Sequence, residues 1–175
     1  MRLAGAEEDR IVLAAFEAHE RDLYAFAHAL LRDPDAAADL VGDAFVRLLA
    51  EVRAGRTPAD ARGWLFRVVG NLVASRGRRI ATARRLLGRL SDRRTHESPE
   101  AAYIRHEVRD DLRAALAGLP TDMRVAIVMA AYGVAGRDIA AAIGRSEAAT
   151  RTLLTRARQR VRQRLAAADG GGRER

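Results

Sequence analysis

Residues 57–79 read TPADARGWLFRVVGNLVASRGRR, and the way this stretch folds decides how the rest of the chain is read. Thr57 followed by Pro58 has the form of a helix entry: an N-cap hydroxyl, then a ring whose missing N–H is not needed at the first helical position. Beyond it Trp64, Leu65, Val68, Val69, Leu72 and Val73 recur at the three-and-four spacing of one buried helical face. Arg62, Arg67, Asn71, Ser75, Arg76, Arg78 and Arg79 fall mainly on the other side or beyond the end. A helix with an apolar back, an amide and a ladder of guanidiniums suits a nucleic-acid backbone, with the amide placed to reach a base edge. The same periodicity also fits a solvated amphipathic helix, and periodicity alone does not separate the two.

Composition narrows the class. A chain of 175 residues holds two small domains or one of ordinary size. Apolar residues make up 49%, much of it Ala, with 5% aromatics and few β-branched runs, so the expected class is all-α. The absence of Cys excludes disulfides, thiolate metal sites and a Cys nucleophile. No apolar run approaches the roughly 20 residues of a membrane span, and MRLAGAEEDR lacks a signal-peptide pattern, so a cytoplasmic protein without membrane insertion is expected. All 31 basic residues are Arg, and the net charge of +8 is unevenly spread. Residues 1–60 carry −5, 61–94 carry +9, 95–122 carry −3 and 123–175 carry +7. Two basic blocks separated by acidic ones point to two anion-contacting surfaces and two that meet something else.

Taken in order, residues 8–31 form an amphipathic pattern with Ile11, Val12, Ala15, Phe16, Leu23, Phe26, Leu30 and Leu31 inward. Asp33-Pro34 restarts the chain as N-cap and first helical position. The following helix, near 35–53, turns Leu40, Val41, Ala44, Phe45, Leu48 and Leu49 inward and carries Asp39, Asp43, Arg47 and Glu51 as a charged stripe. Residues 80–98, with three Leu, five Arg and Pro99 directly after them, read as a linker. A helix near 99–117 ends at Gly118, and Leu119-Pro120 starts another over Ile127, Val128 and Met129. Then GRDIAAAIGRSEAATRTLLTRARQRVRQRL reads as a helix-turn-helix: Arg137 to Ile143, a turn at Gly144, and a second helix capped by Ser146. That helix hides Thr150, Leu153 or Leu154, Ala157, Val161 and Leu165, and exposes Arg151, Thr152, Thr155, Arg156, Arg158, Arg160 and Arg162. Its early positions suit base edges and its later ones phosphate.

Three of these stretches resemble a known family. Arg62-Gly63-Trp64-Leu65-Phe66-Arg67-Val68-Val69-Gly70-Asn71-Leu72 looks like the promoter-recognition helix of extracytoplasmic-function sigma factors of bacterial RNA polymerase, and Asp39-Leu40-Val41-Gly42-Asp43-Ala44-Phe45-Val46-Arg47-Leu48 is similar to the sigma helix that docks on the polymerase clamp. Arg156-Ala157-Arg158 matches the end of the sigma region that reads the minus-thirty-five element. Departures are Gly42 where the family usually has Gln, Ala148-Ala149-Thr150 for a common Gly-Thr-Val, Leu153 where Arg is frequent, and a preceding turn one residue shorter.

The resemblance implies two small helical domains joined by a flexible linker: a region 2-like domain over 1–79, the linker over 80–98, a region 4-like domain over 99–168 and a tail over 169–175. It implies minus-ten contacts from Arg56, Asp60, Arg62, Trp64, Arg67, Asn71, Arg76, Arg78 and Arg79. Helix-turn-helix contacts would come from Arg145, Ser146, Glu147, Arg151, Thr152, Thr155, Arg156, Arg158 and Arg160, and polymerase contacts from Asp39, Asp43, Phe45 and Arg47. The implied partners are promoter DNA, core RNA polymerase through the clamp helices of its largest subunit and the flap of its second-largest, and a separate anti-sigma factor. No cofactor, metal or enzymatic activity is expected. The alternatives are a freestanding helix-turn-helix regulator whose first half dimerises, and a metal-dependent nucleic-acid enzyme using Asp110 and Asp111, whose adjacency on a helix points them apart. Domains joined by such a linker should reorient freely unless something bridges them. An external inhibitor is the favoured bridge, with charge-driven closure of acidic on basic blocks as the alternative.

Overall fold

The computed structural model describes residues 2–86 and 105–171. Over these the chain forms α1 (Arg2–Leu31), α2 (Pro34–Arg53), α3 (Ala61–Leu86), α4 (Arg105–Ala117), α5 (Thr121–Ala131), α6 (Gly136–Ile143) and α7 (Glu147–Gly171), with no strand among the described residues. The expected helix from residue 99 begins, as far as it is described, at Arg105; 99–104 and most of the 80–98 linker lie outside the described residues.

Helices α1 and α2 form an antiparallel hairpin. Arg32 turns the chain in the left-handed region (φ 58°), and its N–H donates to the His28 carbonyl at 2.9 Å. Asp33 then caps α2 as its sequence position foretells: its carboxylate accepts from the Ala36 N–H at 3.0 Å, ahead of Pro34. Leu23, Phe26 and Leu30 of α1 meet Val41, Ala44, Phe45 and Leu48 of α2 and Leu65, Val69 and Val73 of α3 in one buried cluster. Phe16, expected inside, is 43% exposed, with its ring 5.0 Å from that of Phe45.

The third helix departs from expectation at both ends. It starts at Ala61, four residues beyond Thr57, and its cap is Asp60, whose carboxylate accepts from the Gly63 N–H at 2.9 Å. Asp outranks Thr as an N-cap, and Asp60 adds negative charge at the positive end of the helix dipole. The helix also runs on through residue 80 to Leu86, because Gly77 keeps helical backbone angles and good helix formers follow it.

In the second domain α7 is the spine. Ala157 and Val161 pack on Ala115 and Leu119 beside α4, while Leu153 and Leu154 join α5 and α6. Both leucines are buried, because α7 is covered on two adjacent sides.

The two domains do not stand apart. The cluster that holds Leu23 and Leu48 also holds Val125, Met129, Ile139 and Ala142, so one apolar core runs through both. Helix α3 makes this possible with a second buried stripe beside the first: Phe66, Gly70 and Ala74, with Gly63 and Gly77 each seven residues from Gly70. A Cβ on Gly70 would stand 2.9 Å from Met129 Sδ and 3.3 Å from Ala142 Cβ; one on Gly77 would stand 3.0 Å from Thr121 Cβ. Glycine therefore lets α5 and α6 lie against the α3 backbone. At one end of this seam the Tyr132 ring sits 5.3 Å from Phe66 and 5.8 Å from Phe26. The seam bridges the two domains, which is the condition under which they were not expected to reorient freely. It is chiefly apolar, with Arg78 of one basic block facing Asp122 of an acidic block at its edge, at 3.7 Å.

Candidate nucleic-acid interface

The turn of the helix-turn-helix is built as its sequence requires. Gly144 takes the left-handed conformation (φ 68°, ψ 42°), which a β-carbon disfavours, and the Arg145 N–H returns to the Ala140 carbonyl at 2.9 Å. Ser146 Oγ accepts from the Ala149 N–H at 3.3 Å, opening α7. Thr150, 1% exposed, points inward, and its hydroxyl donates to the Ser146 carbonyl at 2.9 Å. Its outward side is mostly polar or cationic: Glu147, Arg151, Thr152, Thr155, Arg156, Arg158, Arg160 and Arg162 are exposed, with Ala148 and Ala149 in the opening turn. The Thr152 and Thr155 hydroxyls donate to carbonyls of their own helix at 3.2 and 3.1 Å, leaving lone pairs for a ligand donor. Arg160 lies along Met123, 3.7 Å from its sulfur, and Arg164 donates to the Gly118 carbonyl at 3.0 Å. A face of guanidiniums on a helix stiffened by a buried opposite side can lie in a groove and hold phosphates on both flanks.

The residues expected at the minus-ten element are dispersed by comparison. Arg56 closes onto Glu51 with two hydrogen bonds, at 2.8 and 3.0 Å. The hydrogen bond from Arg56 holds the Glu51 carboxyl below its ordinary range and raises the guanidinium in turn. Asp60 is occupied as the α3 cap. Trp64 is half-buried against the core. Asn71 is exposed, its Oδ1 accepting from Ser75 Oγ at 3.3 Å, and Ser75 Oγ accepts in turn from Arg78 at 3.0 Å; Arg79 is exposed. Three further arginines, Arg62, Arg67 and Arg78, have partners in the second domain. Arg62 donates to the Tyr132 carbonyl at 2.8 Å and lies over the Phe66 ring. Arg67 stands 3.7 Å from Asp138, and Arg78 stands 3.7 Å from Asp122. Asp122 also takes Arg145, at 3.2 Å.

Arg76 lines a half-open cleft of about 440 Å³ between the domains, with Leu30, Val73, Gly77, Thr121 and Arg124. Burial, reinforced by the charge of Arg32, lowers the pKa of Arg124, whose Nε is enclosed without a hydrogen-bond partner while its Nη1 donates to the Ala117 carbonyl. On α2, Asp39, Asp43 and Arg47 are exposed, whereas Phe45 is 7% exposed and belongs to the core. Beside them Val46 is 68% exposed and Leu13 of α1 57%. Sequence reasoning passed over Val46, whose position off the core stripe was the available signal. It also passed over Asp122, Tyr132 and Asp138, which carry no local signature.

Residues 15–85 match the model for sigma-70 region 2, and residues 109–161 match that for sigma-70 region 4. The chain is 30% identical over 144 residues to the ECF RNA polymerase sigma factor EcfG of Rhodopseudomonas palustris, covering 79% of this chain and 76% of the relative. It belongs to the ECF sigma factors. A second relative, ECF RNA polymerase sigma factor SigE of Mycolicibacterium smegmatis, is 32% identical over 152 residues, 85% of this chain. The chain spans 59% of that relative's length. Among solved structures, the co-crystal structure of the sigma factor RpoE in complex with the anti-sigma factor NepR from Bartonella quintana superposes with a TM-score of 0.62 at 25% identity, over 90% of this chain and 96% of that one.

In these terms α1–α3 are region 2 and α4–α7 are region 4. Both regions of this sigma factor are helical throughout their described residues, and the seam joins the last helix of region 2 to the middle of region 4. Among the described residues no helix is long and apolar enough to cross a membrane, and no group of His, Asp and Glu is placed to hold a metal ion. Asp110 is exposed and pairs with Arg113 at 2.9 Å.

Proposed function

We propose that this chain binds core RNA polymerase in the cytoplasm and directs it to promoters as a sigma subunit, contributing recognition rather than catalysis. The observation that carries this is the pairing, within one chain of this family, of two cationic helices with an acidic one. Helix α7 presents an arginine-rich face with two threonines above a Gly144–Ser146 turn, suited to the minus-thirty-five element in the major groove. Helix α3, with Asn71 and Arg79 exposed, is suited to the minus-ten element, with Arg62, Arg67, Arg76 and Arg78 joining once region 4 has moved away. Helix α2 sets Asp39, Asp43 and Arg47 around the exposed Val46, which suits a protein surface with complementary charge and an apolar centre, here the polymerase clamp.

A separate anti-sigma factor is a further proposed partner, supported by the likeness over 90% of this chain to a sigma factor solved with one. The test is run-off transcription with added core enzyme on genomic fragments. Wild type is expected to yield discrete transcripts, and reversing Asp39 and Asp43 to Arg is expected to abolish core binding with the helical content unchanged. A protein that binds DNA specifically but never associates with core would instead be a freestanding regulator.

A further inference from the structure

We propose that the cleft between α1, α3 and α5 is a binding site for a small aliphatic oxyanion, with Arg124 and Arg76 holding the head group and Leu31, Val73 and Ile80 covering the chain. Such a ligand is separate from promoter and polymerase, so the site stands whether or not the sigma reading does. Two cations mark it. Arg76 and Arg124 both line the half-open cavity of about 440 Å³, and among the described residues neither takes part in an ion pair. Arg62, Arg67 and Arg78 of the same α3 are instead met by Tyr132, Asp138 and Asp122.

Arg124 carries the argument furthest. Its Nη1 donates to a neutral acceptor, the Ala117 carbonyl, at 3.2 Å, while its Nε is enclosed with no hydrogen-bond partner. Burial first, and then the charge of Arg32, work against its cationic form. A cation held away from water without a counter-ion is costly, and an anion in the cleft would offset both causes together. Asp33, the carboxylate on the described lining, is already taken as the cap of α2, accepting from the Ala36 N–H at 3.0 Å. The remaining lining says what the anion is attached to. Leu30, Leu31, Val73 and Ile80 make an apolar wall, and Ile80, 46% exposed, leaves part of it open to solvent. No aromatic ring stands among the described lining residues to stack a base, which disfavours a nucleotide. A saturated chain ending in a carboxylate or a phosphate fits both halves of the lining. Val73 and Arg76 belong to region 2 and Thr121 and Arg124 to region 4, so a bound chain touches both and stabilises the joined protein by mass action.

The test is isothermal titration calorimetry of the full chain with octanoate, which should fill one saturable site and raise the melting temperature. Acetate, with the same head group and almost no chain, should bind about tenfold more weakly or less well still. Octylamine, which has the chain without the anion, should not bind. Octyl phosphate separates the two sources of the head group: whichever of it and octanoate binds tighter names the natural one. Arg124→Gln should weaken octanoate by about tenfold to a hundredfold, as expected for a lost hydrogen bond to a charged group, and Arg76→Gln by a smaller factor. Because Arg124 also holds the Ala117 carbonyl, Ile80→Asp gives an independent measure. It sets a like charge against the anion at an exposed position outside the buried core, and should weaken octanoate by about tenfold. Arg113→Gln, on α4 and paired with Asp110, lowers the net charge as much as Arg124→Gln and should leave octanoate affinity unchanged. Octanoate held no more tightly than acetate, or equally by wild type, Arg124→Gln and Ile80→Asp, would overturn the site. An equal loss in Arg113→Gln would also overturn it, by reducing the effect to general attraction toward an arginine-rich chain.

Discussion

A double-mutant cycle between Phe66 and Tyr132 measures the seam directly. Phe66 is fully buried, its ring 5.1 Å from Phe26 within region 2 and 5.3 Å from Tyr132 across the seam. Truncation to Ala at such a site costs about 3–5 kcal/mol, which is a large part of the stability of a small domain. Phe66→Leu, losing less volume, is expected to cost about 1–2 kcal/mol and keeps the protein folded for measurement. Tyr132→Leu removes the partner ring. An aromatic pair contributes about 0.5–1.5 kcal/mol beyond burial, so the double variant should be less destabilised than the sum of the singles by about that amount. Urea unfolding monitored by far-UV circular dichroism supplies the free energies, and a single transition for wild type is expected because the core is shared. Additivity within about 0.3 kcal/mol, or two well-separated transitions in wild type, would refute the claim that region 2 and region 4 fold against each other.

Three further outcomes are expected. Arg151→Ala should lose about 1–3 kcal/mol of discrimination at one base pair of the minus-thirty-five element, while Arg160→Ala weakens all duplexes alike and lowers the salt slope by about 1, both read by fluorescence anisotropy across a salt series. Asp60→Ala removes the carboxylate that holds the Gly63 N–H and should cost about 1 kcal/mol by thermal melting, with amide exchange rising first in the opening turn of α3. Glu51 has a lowered pKa in the folded chain because Arg56 bonds to it, so its contribution is present above the ordinary carboxylate range and is lost as pH falls through the depressed value. The Arg56 Nε–H resonance should therefore move to its free position on acidification, and in Glu51→Gln it should sit there at every pH.

How much of this could be read from the sequence depended on whether the signal was local. The helix-turn-helix was legible because Gly144, Ser146 and the spacing of Thr150, Ala157 and Val161 each state a local backbone or packing requirement. The Asp33-Pro34 start of α2 was legible for the same reason. The start of α3 was misplaced because Thr57-Pro58 and Asp60 are both good caps, and only the path of the loop chooses between them. The seam was invisible for a different reason. A single amphipathic face explained Leu65, Val69 and Val73 well enough that Phe66 had no role assigned, and glycines inside a helix ordinarily count against it. Phe16 shows the opposite error: it shares the apolar pattern of α1 yet stays 43% exposed, whereas Phe45, placed inward on α2, is covered.

The seven-residue interval of Gly63, Gly70 and Gly77 has a consequence for how closure happens. A seven-residue repeat drifts by about 20° per heptad on a straight helix, so the backbone groove it opens winds slowly around α3 instead of running along it. Sliding region 4 along that groove by one helical turn, about 5.4 Å, would bring Phe66 or Ala74 to the place where Gly70 now admits Met129 and Ala142. A slip of one turn is therefore sterically opposed, and the present register is kept by the fit at Gly70. Any partner that separates the regions competes with a docked state keyed at that glycine.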